Sequence, residues 1–447
     1  MQPDKLILPN GILIKQHVIQ SLQLYWLNHS LVIEALPIIA LDKNIKISLP
    51  LKLISVKLPS WASFVGINGE LLIPQELISE GGATNTQPIW AQVDWFMAVF
   101  LMLEAWHERL WEERNGPIHS YSFRLKGWDD RVWAHAWVNR IGLFLREWAA
   151  HQAGKKSDEL FGALPRAKVL MTHDVDALEK TLAIRVKQSA FIGFNALKQL
   201  AYGNIKTSLQ HTGRAAKFLF GRDNWWQFDR LLQSEAQAKI SSVFHFHADP
   251  RRKSLKRWIF DPNYDIQQPR VKVLIRRLHS LGHTIGLHPG FDSWNNPEAM
   301  AAQKQSLEST GSGDVLACRQ HWLRFSWERT WSTQERAGFA SDTTLMFNDR
   351  PGFRNATALC WKPWNAELAD RHQLTAQPTV VMDSHLYDYQ QIEDAERRTE
   401  LDKWLTEITD VQGSAAVLWH PHTLARDYGW SDGFSDLLHI LTRRSTA

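Results

Sequence analysis

From residue 165 onward, short apolar runs alternate with segments of helical periodicity. The runs cover 169–171, 241–246, 283–287, 315–318, 339–340, 379–382 and 415–419. Each has the length and composition of a buried strand. Helices are predicted between them: from Asp223 as cap to Lys239, from Pro269 to Leu281 with Gly282 at its end, from about Pro297, and from Ser326 as cap to Gly338. Nearly every strand ends in chemistry. The first runs into Thr172, His173, Asp174 and Asp176, and the second into His245, His247 and Asp249. The third reaches His288, the fourth Arg319 and His321, and the fifth Asp342. The last two reach Asp383 and His385, then His420 and His422. One histidine after a strand means little. The repetition predicts an α/β fold whose parallel strands form a barrel-like sheet, with one convergent site on its carboxyl rim.

The first 155 residues read differently. Positions 6–8 precede Pro9-Asn10-Gly11, and 45–58 is rich in Ile, Leu and Val, which suggests a small α+β unit. Residues 89–113 place Trp90, Trp95, Val99, Leu103, Trp106 and Leu110 at helical spacing. This predicts one amphipathic helix with His107, Glu108, Glu112 and Glu113 on its solvated face. A second helix is expected from about Asp129 to His151. Positions 153–157 read as a linker, so the division is an N-terminal accessory domain, 1–155, and a barrel, 165–447.

Composition narrows the chemistry. The chain has 447 residues and a net charge of +4, so no nucleic-acid partner is indicated. Its two cysteines, Cys318 and Cys360, exclude a disulfide framework and a four-cysteine zinc site. Residues 1–5 lack the features of a leader, and the apolar run 95–106 is too short for a bilayer, so a cytoplasmic, non-membrane protein is expected. The 22 Trp suit sugar stacking as well as core packing. Asp and His together, without Cys, suit an open site for zinc or another divalent metal. Neither a glycine-rich phosphate loop nor a Gly-x-Ser-x-Gly elbow is present.

Several motifs carry a resemblance. Thr172-His173-Asp174-Val175-Asp176 resembles the first motif of the polysaccharide deacetylase superfamily, carbohydrate esterase family four, in a less characterised bacterial branch. Gly282-His283-Thr284-Ile285-Gly286-Leu287-His288-Pro289 is similar to its second motif. Arg319 to Phe325, Gly338 to Leu345, Pro351 to Arg354 and Val417 to His420 look like later motifs in the family's order. The resemblance spans roughly 165–440.

It implies a distorted (β/α) barrel of about seven parallel strands, a divalent metal and hydrolytic deacetylation. Zinc is the first expectation; cobalt, nickel or manganese would also serve. Carried over, Asp174 is the general base, and Asp176 and His288 are metal ligands. The family's second histidine falls on Asp292, a departure, so either Asp292 or His321 completes the set, with His321 preferred. His420 is the proton donor, with His422 as its alternative and Asp342 or Asp383 orienting it. Arg319, Arg354 and Asp342 are candidates for holding substrate or the transition state. Arg319, Arg350 and Arg354 could equally pair with Asp342 or Asp349. His173 and His283 read as structural; His245 and His247 read as core, extra ligands or substrate contacts. The implied function is removal of N- or O-linked acetyl groups from a sugar or glycan precursor. An inactive carbohydrate-binding module and a hydrolase of non-sugar amides are the alternatives.

Overall fold

The computed structural model describes residues 6–40, 45–78, 87–201, 203–221, 223–251, 254–390 and 392–446. The first five residues, on which the expectation of no leader rested, lie outside them. Near the N-terminus β1 (Leu53–Lys57) and β2 (Glu70–Pro74) pair antiparallel. The main strands follow: β3 (Lys168–Val175), β4 (Val243–Phe246), β5 (Thr284–Leu287), β6 (Ala317–Cys318) and β7 (Ser341–Asp342). A short antiparallel pair, β8 (Trp364–Asn365) and β9 (Asp370–Arg371), precedes β10 (Thr375–Ala376), β11 (Thr379–Met382) and β12 (Ser414–Leu418).

Eight of these form one parallel sheet in the order β10-β7-β6-β5-β4-β3-β12-β11. Its two edge strands, β10 and β11, are separated in the chain only by Gln377 and Pro378. Two residues span a few ångströms, so the edges must meet and the sheet must curl. Gln377 N donates to Asp342 O at 2.9 Å, and Ala416 N donates to Pro378 O at 2.8 Å. Pro378, which has no N–H to pair, sits at the bend. Strands β10 and β11 therefore act as one bent stave, and the distorted barrel has the expected seven. Apart from Val169 and Leu170 at the start of β3, the apolar residues of the eight strands are buried, as in a parallel sheet covered by helices.

Local details differ from the periodic reading. The stripe at 89–113 is two helices, Trp95–Leu103 and Trp106–Asn115, broken where Ala105 takes φ 42°. The break forms around the Glu104 carboxylate, which is buried and accepts from His17, Arg109 and Trp361. Of the face expected to be solvated only Glu113 is exposed; His107, Glu108 and Glu112 are at most 6% exposed. Glu108 pairs with Arg354, and Glu112 accepts from Ser326 and Trp327, so the polar face meets the barrel rather than water. The later helix begins at Trp137, not 129. Asn10 belongs to no turn between strands; its side chain caps the helix Gly11–Ser21. Asp223 caps nothing, since its helix starts at Phe228, and Ser326 lies a turn ahead of the helix Thr330–Arg336.

One hydrophobic cluster runs from Val18 and Trp95 through Phe144 to Phe244, Val381 and Val417, crossing the linker without interruption. Between β3 and β4 stands a helical hairpin, Leu182–Ala201 and Ile205–Phe220. Among the described residues, no helix is long and apolar enough to cross a membrane.

Candidate metal and acid–base site

Strand β3 runs through Val175, so Asp174 is a strand residue whose side chain points into the barrel. Its neighbour in β4 is His245, whose Nδ1 lies 3.2 Å from Asp174 Oδ1. That approach needs space on β5. A Cβ at Gly286 would fall 2.6 Å from His245 Cδ2, so glycine is required there. Below sits Arg319, fully buried, with Nε 3.6 Å from Asp174 Oδ1. Its guanidinium also donates to the hydroxyls of Thr172, Thr343 and Thr379 at 2.8–3.1 Å. Burial alone would raise the Asp174 carboxyl, but His288, Arg319 and His245 outweigh it and hold it far below the usual carboxylate range.

Asp176, just past the strand end, faces two imidazoles. Its Oδ1 is 3.4 Å from His288 Nε2 and 3.8 Å from His321 Nε2. The three ligand atoms lie within 4.8 Å of one another. Each ring is turned by a fixed acceptor: His288 Nδ1 donates to the Arg319 carbonyl at 2.7 Å, and His321 Nδ1 faces Asp261 Oδ1 at 3.4 Å. Both Nε2 atoms are thereby turned toward Asp176, and loss of the proton that Asp174 and Asp176 favour on His288 would free its Nε2 for a metal. Asp176 Oδ1 is buried without a hydrogen bond of ordinary geometry. An orphaned carboxylate oxygen beside two imidazole Nε2 atoms fits a divalent ion with an open coordination position. Burial would raise Asp176, yet His288, His321 and His420 keep it well below its ordinary value.

His420 closes the site from the other side, with Nε2 3.5 Å from Asp176 Oδ2. Asp383 grips it twice: its Oδ1 accepts from His420 Nδ1 and its Oδ2 from the backbone N–H, both at 2.8 Å. Thr423 Oγ1 adds a donor to Asp383 at 3.1 Å. Burial would lower the His420 imidazole, but the Asp383 carboxylate, with Asp176 and Asp174, raises it to about 10. His422 lies beside it in the cleft, stacked on Trp225 at 5.1 Å. Burial and the neighbouring His420 push its imidazole down to about 4, so it is a poorer proton donor at neutral pH.

These groups line a cleft of about 810 Å³. Asp174, Asp176, His288, His321, His420 and His422 form its floor, and Trp225, Trp322, Tyr387, Tyr428 and Trp430 its walls. Aromatic faces above a polar floor suit a sugar ring.

Other expected site residues lie elsewhere. Asp292 is a surface carboxylate paired with Lys256 at 2.6 Å, because its loop turns outward after Pro289. Asp342 is buried among Trp331, Gln334 and Thr344, which satisfy its oxygens, and burial pushes its carboxyl up. It neither orients His420 nor reaches the cleft; Asp383 holds His420. Arg354 is buried between Glu108 and the carbonyls of His119 and Met346, joining the N-terminal helix to the barrel. Arg319 touches Asp174 from beneath, and it does not line the cleft. Arg350 pairs with Asp130 at the surface. His173 bridges Trp419 O and Glu235 on the outer face of β3, and His283 accepts from Ser242 N. His247 donates from Nδ1 to His288 O and packs near His321. Asp261 was missed: it lies in a polar loop after the helix Leu255–Phe260, with no strand end to mark it.

No known family model matches the chain, and no curated protein matches it. Among solved structures it is similar to a polysaccharide-deacetylase candidate from Mycobacterium smegmatis, at 15% identity and a TM-score of 0.36, covering 63% of this chain and 86% of that one. It is also similar to a mutant CE4-family pseudoenzyme with restored activity, at 11% identity and a TM-score of 0.28, covering 65% and 70%. Likenesses this distant carry no argument about chemistry; the fold stands on its own strand order, and the site on its own distances.

Proposed function

We propose that the protein is a metal-dependent hydrolase removing N- or O-linked acetyl groups from a sugar or glycan precursor. The observation that carries this reading is the facing of three groups in one cleft: the Asp176–His288–His321 cluster, the ionised Asp174 and the Asp383-bound His420. A divalent ion held by Asp176, His288 and His321, zinc first on donor chemistry, would supply Lewis acidity and an acidified water. Asp174 would accept the proton of the attacking water, its carboxylate kept ionised by Arg319 and His245. His420, held protonated by Asp383, would deliver a proton to the departing nitrogen or oxygen. Trp322, 41% exposed at the cleft, would stack the sugar, and Tyr428 would help exclude water from the leaving group. A module that only bound sugar would have no evident use for an acid and a base on opposite sides of a metal-type cluster.

Elemental analysis of the purified protein, with acetate release from acetylated sugars, tests this. About one divalent ion per chain is expected, absent in Asp176→Ala, His288→Ala and His321→Ala but kept in Asp292→Asn. Wild-type protein that stays metal-free after zinc and cobalt loading would sink the hydrolase and leave carbohydrate binding as the reading.

A further inference from the structure

The hairpin Leu182–Ala201 and Ile205–Phe220 is amphipathic in an unusual way. Its inner face is anchored. Ile192 and Phe218 are at most 5% exposed and cluster with Ala177, Trp225 and Ala425 on the barrel rim. Lys180 reaches Asp427 beneath them and lies 4.1 Å from the Phe218 ring centroid. Ile184, Gln188 and Ile192, on the same inner face, line the cleft. The outer face is apolar and bare. Leu182, Val186, Phe194 and Leu197 on the first helix, and Leu209 and Phe220 on the second, are 54–77% exposed. On a wheel of 100° per residue, those on the first helix fall within one third of the circumference, opposite the anchored side. The helix Leu255–Phe260 also lines the cleft, through Ile259, which is 44% exposed, and the same helix leaves Leu255 75% and Trp258 44% exposed.

Charge says what covers this face. Residues 182–220 contain six Lys or Arg (Arg185, Lys187, Lys198, Lys206, Arg214 and Lys217) and no Asp or Glu. The whole chain is nearly balanced, with 51 basic and 47 acidic side chains, so the bias belongs to this segment. A segment that is basic in sequence, lacks acidic residues and bears an exposed Leu and Phe face has the composition of helices that lie in a lipid interface. An exposed apolar area of this extent is seldom left to water.

We propose that this hairpin docks the protein on an anionic membrane surface, with the cleft mouth held at the headgroups. Here the lipid attracts the basic residues first, and the apolar stripe then sinks beneath the headgroups. Resting on the deacetylase reading, the substrate class follows: an acetylated sugar carried on a lipid anchor, presented at the surface the cleft faces. Docking itself needs neither metal nor turnover, so the two ideas fail separately.

The test is flotation of the full-length protein with vesicles of phosphatidylcholine containing about one third phosphatidylglycerol, against pure phosphatidylcholine. Binding should be about tenfold stronger to the anionic vesicles and weaken with salt. The double variant Leu197→Glu/Leu209→Glu should lose it, while Leu368→Glu, an exposed leucine on the β8–β9 turn, should not. Both positions are exposed, so melting temperatures should match the wild type. Failure of wild type to float with anionic vesicles, or equal flotation of the double variant, would overturn the proposal. So would light scattering showing a wild-type dimer that the double variant breaks to monomer, since a second copy would then cover the face.

Discussion

Asp174 and Asp176 are two positions apart and chemically alike, yet their surroundings differ. Asp174 is clasped by His288, Arg319 and His245, which leave it ionised; Asp176 is faced by the Nε2 atoms of His288 and His321. Two carboxylates so separated by environment are the usual route to a base and a ligand in one site. Asp383 does for His420 what Arg319 does for Asp174. Its carboxylate is a main reason the imidazole rises to about 10, against the opposing effect of burial. Replacing it with Asn should therefore move the alkaline limb of the kcat/KM profile to lower pH and cut turnover by roughly ten- to a hundredfold, with metal content unchanged. A limb that stays in place would detach Asp383 from the proton donor. The strand-end histidines and aspartates were legible because chemistry at the ends of parallel strands is a one-dimensional pattern. The roles of Arg319 and Arg354 were not. An arginine after a strand reads the same whether it faces a ligand or a buried carboxylate, and only packing tells them apart.

Helix periodicity located the N-terminal helices, but of the polar face it set in water only Glu113 is exposed. A stripe of Trp and Leu marks one packed face and says nothing of a second. The polar side is packed too, because Glu108, Glu112 and Glu104 find partners on the barrel. Farther on, Glu407 of the helix Asp394–Asp410 binds Arg140 in two hydrogen bonds and His135 at 2.9 Å, tying that helix to Trp137–Gln152. Burial would raise the Glu407 carboxyl, but His135 and Arg140 bring it down to about 2. A carboxyl depressed on folding stabilises fully above its unfolded value near 4.5, and that contribution fades as pH falls toward 2. Glu407→Gln should lower the melting temperature at pH 7, with a loss of stability on the order of 3 kcal/mol if Arg140 is left unpaired. The gap to wild type should narrow as pH is lowered from 5 to 3; a constant gap would mean the ion pair is not its source.

On the scale of the molecule, the barrel rests on the N-terminal region. The cluster joining Trp95, Phe144, Trp404 and Val417 is continuous, and Arg354 and Glu407 have their ion-pair partners across the linker. Residues 165–447 expressed alone should be insoluble or bind a dye for exposed apolar surface, since removing the partners strands both the apolar area and the charges. A soluble fragment with a cooperative melt would show an autonomous barrel.

What the sequence alone determined is what repeats along one dimension: seven buried strands, the helices between them, and a rim of Asp and His at their ends. Periodicity and strand-end chemistry survive without knowledge of neighbours. What only the tertiary structure decided is which of those ends meet. Asp292 follows His288 closely in sequence yet faces Lys256 at the surface, while His321, from the next strand, comes to Asp176. Curling of the sheet, not spacing in the chain, sets those distances, because closure through β10 and β11 brings strand ends far apart in sequence onto one rim. Burial likewise turned Arg319 and Arg354 from candidate substrate contacts into groups held within the fold, since charge is legible in a sequence and its desolvation is not.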